Sequence, residues 1–397
     1  MRELHCISSA SSFLVSDSKQ APNALNPVTA GSINEAALAL SQGYLVAFPT
    51  ETVYGLGADG YNPSAVSRIF EVKGRPKGHP LILHAANLVN AMKVSNHWND
   101  LALGLAEAFW PGPLTLVLKK ANSVPLEVTG GQDSVGIRVP NQVLAQLMLQ
   151  AFADQGSGLV AAPSANRFGA VSPTRARDVV KGLGPFLSGN DCLLIAADCD
   201  VGLESTIVDC REAVPRLLRP GGLSRDSLNT WLQANRFPLL EEALKHDLRV
   251  SGSLASHYAP RCPLVVAPGG QIEQALESPE RFDQFIRLRA ALSSFHLPAG
   301  GLRLGLLLLE SASPAAFQST TSMSSNPLKP SDPPKPCVSH VDLQWMARDA
   351  QAYARLLYQR LNDWDQAGVE LILVESPPEN SGWEAVWDRL SRAATKR

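Results

Sequence analysis

No Cys-x-x-Cys pair occurs in this 397-residue chain. Its six cysteines, Cys6, Cys192, Cys199, Cys210, Cys262 and Cys337, are scattered, and none is set beside a His pair at zinc-ligand spacing. That excludes a cysteine-rich zinc module and favours free thiols in a reducing compartment. A basic excess is also missing: 35 Lys and Arg against 37 Asp and Glu leave a net charge of −2. A broad nucleic-acid-binding surface would need the opposite balance, whereas a small basic pocket would not. No apolar run is long enough to span a bilayer. Met1 to Lys19, with one early Arg and a weak apolar stretch broken by serines, makes a poor signal peptide. Residues 1–27 therefore read as a disordered leader, and the expected location is cytoplasmic. No Ser-His-Asp order stands out among the scattered histidines, and a lone His is more often structural than catalytic.

Hydrophobic residues make up 45% and charged residues 18%, as in an ordinary globular protein with room for two or three domains. The most informative stretch is Phe48-Pro49-Thr50-Glu51-Thr52-Val53-Tyr54-Gly55-Leu56-Gly57, followed by Lys73-Gly74-Arg75-Pro76. An apolar strand runs into a polar, Gly-ended turn, and two cations follow one short helix later. Strand ends of this kind hold ligands in α/β proteins, and the cations point to an anionic ligand. The phosphate loop GxxxxGK[ST] is absent, so the anion must be held in another way.

Ser32-Ile33-Asn34-Glu35 reads as a capping box opening the first helix, ended by Gly43, with Tyr44 to Phe48 as a buried strand. Asn62-Pro63 opens a second helix and Gly74 closes it, with Val66, Ile69 and Phe70 on its apolar face. Lys73 lies seven residues after Val66 on that same face, so it should point toward the strand ends. A lysine answering the helix dipole is the plainer alternative. Strands and helices then alternate: Leu81 to His84, Asp100 to Phe109, Leu114 to Leu118, Val135 to Val139, Asn141 to Ala153 and Leu159 to Ala162, with Ile207-Val208 and Leu217-Leu218 near two more strands. These make an α/β domain with a mixed sheet over 28–235. Residues 236–262 read as a linker. In 263–397, Leu264 to Ala267, Leu304 to Leu309 and Leu371 to Val374 are strand-like. Two amphipathic helices, through Ala350–Trp364 and Trp383–Leu390, complete a smaller α/β domain. The Ser- and Pro-rich stretch 311–336 reads as a mobile loop.

Four further clusters lie at strand ends: Ser134 with Arg138 on one face of a strand; Pro163-Ser164-Ala165-Asn166, with Ser172 soon after; Glu204-Ser205-Thr206; and Arg219-Pro220-Gly221. Taken singly, each has a structural explanation, as a cap or a surface cation. Their repetition along one domain is how a pocket at a sheet edge is lined.

These motifs, in this order and together with Trp110-Pro111-Gly112-Pro113, resemble the threonylcarbamoyl-AMP synthase family with its YrdC-like domain. His257-Tyr258-Ala259-Pro260 resembles the signature of the longer branch, whose second domain is Rossmann-like. The resemblance implies that L-threonine, bicarbonate and ATP give threonylcarbamoyl-AMP and pyrophosphate. Partner proteins then move the threonylcarbamoyl group onto an adenosine next to the tRNA anticodon. It places Thr52, His84, Arg138, Ala162 and Ser205 around threonine. Lys73, Arg75, His79, Ser134, Ser164, Asn166, Ser172, Arg219 and Tyr258 fall around ATP. Lys73 and Arg75, with Mg²⁺, would offset phosphate charge, and the linker would close over the pocket through Tyr258. His79 stands where many relatives carry Asn, and Ser251–Ser256 replaces a Pro-Gly-Met-Lys-like run. The competing readings are a non-catalytic RNA-binding factor, a carbamoyltransferase built on a related domain, and a plain ATPase.

Overall fold

The computed structural model describes residues 2–4, 27–243, 248–252, 257–288, 302–310 and 338–395. The expected leader falls mostly on residues outside this set, and the 311–336 loop falls wholly outside it. The chain divides into two units, one of Met1–Phe168 with Ser172–Ser253, the other of Gly169–Val171 with Leu254–Arg397.

The strands of the first unit are β1 (Arg2–Leu4), β2 (Val46–Phe48), β3 (Gly55–Asp59), β4 (Ile82–Ala85), β5 (Leu114–Lys119), β6 (Ser134–Arg138), β7 (Leu159–Ala161), β8 (Cys192–Leu194), β9 (Thr206–Asp209), β10 (Arg216–Arg219) and β11 (Glu241–Glu242). They form one mixed sheet in the order β1-β8-β2-β3-β7-β4-β6-β5-β9-β10-β11. The helices are α1 (Pro27–Ser41), α2 (Pro63–Lys73), α3 (Leu88–Ala91), α4 (Asp100–Phe109), α5 (Leu126–Thr129), α6 (Val143–Ala153), α7 (Ala176–Leu183) and α8 (Arg225–Ala234).

Strand alternation sorts the side chains between two faces. Leu83, Leu116, Ile137 and Val208 enter the large core with Val66 and Ile69 of α2 and Leu105 of α4. Val46, Phe48 and Val160 point the other way, into a smaller core with Leu40 of α1 and Met148 of α6. On this second face, β4, β5, β6 and β9 present His84, Thr115, Ser134, Gly136, Arg138 and Ile207. The period-two rule thus brings the polar positions of β4, β5 and β6 onto one floor.

Three sequence expectations are corrected. Helix α1 starts at Pro27, so Ser32–Glu35 lie inside it. Proline's missing N–H costs nothing in a first turn, which lets the helix begin earlier. The polar turn is confined to residues 50–54, and the glycines beyond it belong to strand β3. Gly55, Gly57 and Gly60 spell G-x-G-x-x-G, yet a strand rather than a helix follows the first glycine, so no dinucleotide turn forms. Gly57 is instead required by packing: a Cβ there would lie 2.7 Å from Val160 Cγ1 and 2.9 Å from Phe48 Cε1. The stretch read as a linker also contributes to the first unit, because β11 pairs with β10.

Helix α2 follows its signals. The Asn62 side chain accepts from the Ser64 and Ala65 N–H groups, and Gly74 takes the left-handed cap at φ 62°.

The second unit has β12 (Leu264–Ala267), α9 (Gly269–Leu276), α10 (Pro279–Arg287), β13 (Leu302–Leu309), β14 (Val338–Met346), α11 (Ala350–Ala367), β15 (Leu371–Glu375) and α12 (Glu384–Ala394). Its four strands pair in parallel in the order β12-β15-β13-β14. Ile272 and Phe282, from α9 and α10, pack with Leu304, Leu306 and Leu373 on one face. Gly305 faces the other way, where the Trp364 ring of α11 lies 3.0 Å from the place a Cβ would take. Alternating crossovers of this kind give a doubly wound, Rossmann-like sheet. No helix among the described residues is long and apolar enough to cross a membrane.

Candidate active site

One end of the floor is built by the turn after β2. Thr50 Oγ1 accepts from the Thr52 and Val53 N–H groups at 3.2 Å each and donates to Val53 O at 2.7 Å. Its one proton is thereby used, so the Thr52 hydroxyl, 2.7 Å away, donates to it. Thr52 Oγ1 then accepts from Arg138 Nη1 at 2.9 Å. Arg138 also donates from Nε to Gly112 O at 3.1 Å and pairs through Nη2 with Glu51 Oε1 at 2.7 Å. Both charged residues are buried, at 4% and 5% exposure. His84 is the cross-strand partner of Arg138 and meets Phe48 edge-on at 6.1 Å.

Burial, and then the Arg138 charge, push the His84 pKa down to about 3 from the ordinary 6.5. His84 is therefore neutral at neutral pH. The unfolded chain takes up its proton as pH falls through about 6.5, and the folded protein only near 3. Stability from this residue is thus complete above the unfolded value and is lost on acidification, by up to about 1.4 kcal/mol per pH unit. Denaturant titrations of His84→Gln should show a flatter decline between about pH 6 and 4 than the parent. Equal slopes would contradict this environment.

Farther across the sheet, Arg219 Nε and Nη2 donate to Ser205 O at 3.1 and 2.8 Å, and Nη2 reaches Ser205 Oγ at 3.1 Å. Thr115 Oγ1 lies 2.8 Å from the same hydroxyl. Gly221 permits the close approach, since a Cβ there would sit 2.4 Å from Glu204 O. Ser172 donates to Glu204 Oε1 at 2.6 Å. Arg75 donates to Pro80 O at 2.9 Å and lies over the Phe168 ring. His79 also faces Phe168, and partial burial followed by the Arg75 and Arg249 charges lowers its pKa.

Residues 248–252 cross this part of the floor. Arg219 Nη1 donates to Ser251 O at 2.7 Å, and Arg75 Nη2 reaches Ser251 Oγ at 3.4 Å. Val250 packs with Val117 and Ile207. A cavity of about 20 Å³, bounded by Ser134 and Thr115 among others, remains beneath the segment.

Lys73 ends α2 and points inward, as its spacing predicts. Lys73 is 2% exposed, and its ammonium donates to Ser164 O and Asn166 O at 2.5 Å each. Burial, then the Arg75 and Arg167 charges, hold its pKa well below the usual lysine value. Ala162 is buried beside these carbonyls, its N–H bonded to Ile82 O.

Thirteen of the fourteen predicted site residues therefore lie in the first unit. Tyr258 is in the second unit, where it stacks on Tyr358 at 5.8 Å with Arg389 over its ring and φ at 59°. Sequence reasoning gave no role to Glu51 or Glu204. Both stand inside the quoted motifs, and the usable signal is an acid embedded in an otherwise buried run. No group of three or more His, Cys, Asp or Glu able to hold a metal exists among the described residues.

Residues 38–221 match the family described as "Telomere recombination" (Sua5_yciO_yrdC), and residues 223–395 match the "Threonylcarbamoyl-AMP synthase, C-terminal domain". The chain is 33% identical to the threonylcarbamoyl-AMP synthase of Bacillus subtilis strain 168 over 370 residues, covering 92% of this chain and 93% of that protein. It is 31% identical to that of Pyrococcus abyssi over 366 residues, with 92% and 94% covered. The crystal structure of P. abyssi Sua5 complexed with L-threonine superposes with a TM-score of 0.70 at 30% identity, over 92% of this chain and 94% of that one.

Proposed function

The chain belongs to the threonylcarbamoyl-AMP synthase family, and from that premise we propose how its floor performs the reaction. L-Threonine, bicarbonate and ATP are converted to threonylcarbamoyl-AMP and pyrophosphate. The observation that carries the reading is the placing of Ser134 and Arg138 at the two ends of one strand face. Four residue steps set them about 13 Å apart. That span seats an amino acid against Arg138 and a nucleotide against Ser134, with their reacting ends facing.

Arg138 binds the threonine carboxylate as a guanidinium fork, with Thr52, His84, Ala162 and Ser205 around the remaining groups. Lys73, Arg75, Arg219, Ser134, Ser164, Asn166, Ser172 and His79 take ATP. For Tyr258 the assignment rests on its motif alone. To accept the nucleotide, Arg219 and Arg75 give up their bonds to Ser251.

Bicarbonate takes up one proton and loses water to give CO2. The α-ammonium of threonine sheds two protons, one balancing that uptake and one passing to solvent, as its nitrogen bonds the CO2 carbon to form a carbamate. A carbamate oxygen attacks the α-phosphorus in line, the bond to the β-phosphate breaks, and pyrophosphate leaves. The carbamate is itself the nucleophile, so positioning and charge neutralisation dominate. Mg²⁺ would add charge neutralisation on the phosphates; among the described residues no group of three or more His, Cys, Asp or Glu could hold it, which suits an ion that arrives with the nucleotide. The product passes to a partner complex that modifies the adenosine next to the tRNA anticodon, a cytoplasmic task.

Pyrophosphate release should depend on L-threonine and exceed that with any other common amino acid. Release without an amino acid would favour a plain ATPase instead.

A further inference from the structure

The geometry points to Glu51 as the residue that recognises the substrate's α-ammonium group, an inference that rests on the reading of Arg138 as the carboxylate partner. Glu51 is 5% exposed, and its described ion pair is with Arg138 Nη2 at 2.7 Å. Its main chain is fixed in place, since its carbonyl accepts from Val201 N at 2.8 Å. A buried guanidinium without a counter-charge is costly, so in the empty pocket Glu51 supplies one. When a substrate carboxylate takes the Arg138 fork, Glu51 loses that partner and becomes the uncompensated charge. Only a substrate that brings its own cation restores balance, and the α-ammonium of an amino acid does so next to its carboxylate.

Thr52 supports the same recognition independently. Its hydroxyl proton goes to Thr50 and one lone pair to Arg138, which leaves one lone pair on Oγ1 to accept a further N–H. Glu51 and Thr52 thus form a pair of acceptors beside a cation that the carboxylate neutralises. The zwitterion replaces one internal ion pair with two, in alternating order: Glu51, ammonium, carboxylate, Arg138. Glu51 is therefore a specificity device for α-amino acids against the corresponding hydroxy acids.

The test is isothermal titration of the full-length protein with L-threonine and with (2S,3R)-2,3-dihydroxybutanoate, which keeps the carboxylate and both carbon substituents but replaces the ammonium by a hydroxyl. The parent protein should prefer threonine by about 30-fold or more, the scale of a broken buried charge pair. In Glu51→Gln the two affinities should move in opposite directions, threonine weakening and the hydroxy acid strengthening, because Arg138 has lost its competitor. A parent protein that binds both acids within threefold would overturn the proposal, even if the variant fails to fold. So would a variant in which both ligands weaken together, since that is the mark of a residue that merely orients Arg138. A parent that binds neither acid, while a nucleotide still binds, would overturn the amino-acid reading of the pocket itself.

Discussion

Lys73→Met should lower threonine-dependent pyrophosphate release by about 100- to 1000-fold, the range for removing one preorganised donor from a charge-developing site. Lys73 is almost fully buried and its ammonium donates to the Ser164 and Asn166 carbonyl oxygens; among the described residues no carboxylate pairs with it. Taking a cation out of water without a counter-ion is expensive, and folds keep such groups where an anion arrives later. The depressed pKa reports the same strain: burial first, then the Arg75 and Arg167 charges. Methionine keeps the stem's volume and removes the charge, so the core should survive. Cooperative melting within about 2 kcal/mol of the parent would show this, since the variant trades a desolvated cation for two unanswered carbonyls. The lowered pKa also sets a direction with pH. kcat/KM for ATP should fall on the alkaline side before the ordinary lysine value of 10.5 is reached. Turnover of Lys73→Met near the parent rate would remove Lys73 from the chemistry.

Arg138→Gln should raise KM for L-threonine about 100-fold or more while leaving KM for ATP within a few-fold, because a lost buried charge contact to a carboxylate costs about 3 kcal/mol or more. It should also destabilise the empty protein. Arg138 answers Glu51, Thr52 and the Gly112 carbonyl together, and its loss leaves the Glu51 carboxylate buried and unpaired. Breaking such a pair costs about 3–5 kcal/mol. The double change of Glu51→Gln and Arg138→Gln should recover part of that stability without recovering threonine affinity. Denaturant melts and substrate titrations separate the two effects. An Arg138→Gln protein with unaltered KM for threonine would contradict the assignment of this end of the floor.

Much of this arrangement is legible in the sequence because local signals suffice for it. Asn62-Pro63 and Gly74 bound α2, and their spacing turns Lys73 inward. Period two sets Ser134 and Arg138 on one face of β6. Other features depend on contacts between distant segments. The Gly-rich run after Tyr54 reads as a turn because glycine is usual there; only the neighbouring Val160 and Phe48 side chains show that bare backbone is needed in a strand. The Glu51 to Arg138 pair spans 87 positions, and the Ser172 to Glu204 bond spans 32, so neither acid announces its partner locally. Strand β11 was hidden in a stretch without periodicity, because its two residues are exposed glutamates that enter no core and meet Arg216 and Arg225 from other segments.

The central claim is that one sheet face holds threonine and ATP so that a carbamate formed on the amine meets the α-phosphate. The direct measurement is mass analysis of the product after incubating the full-length protein with ATP, Mg²⁺, L-threonine and carbon-13 bicarbonate. The account predicts threonylcarbamoyl-AMP that carries the label in its carbamoyl carbon, together with pyrophosphate, and none when threonine is omitted. An adenylate without the labelled carbon, or nucleotide hydrolysis alone, would contradict it.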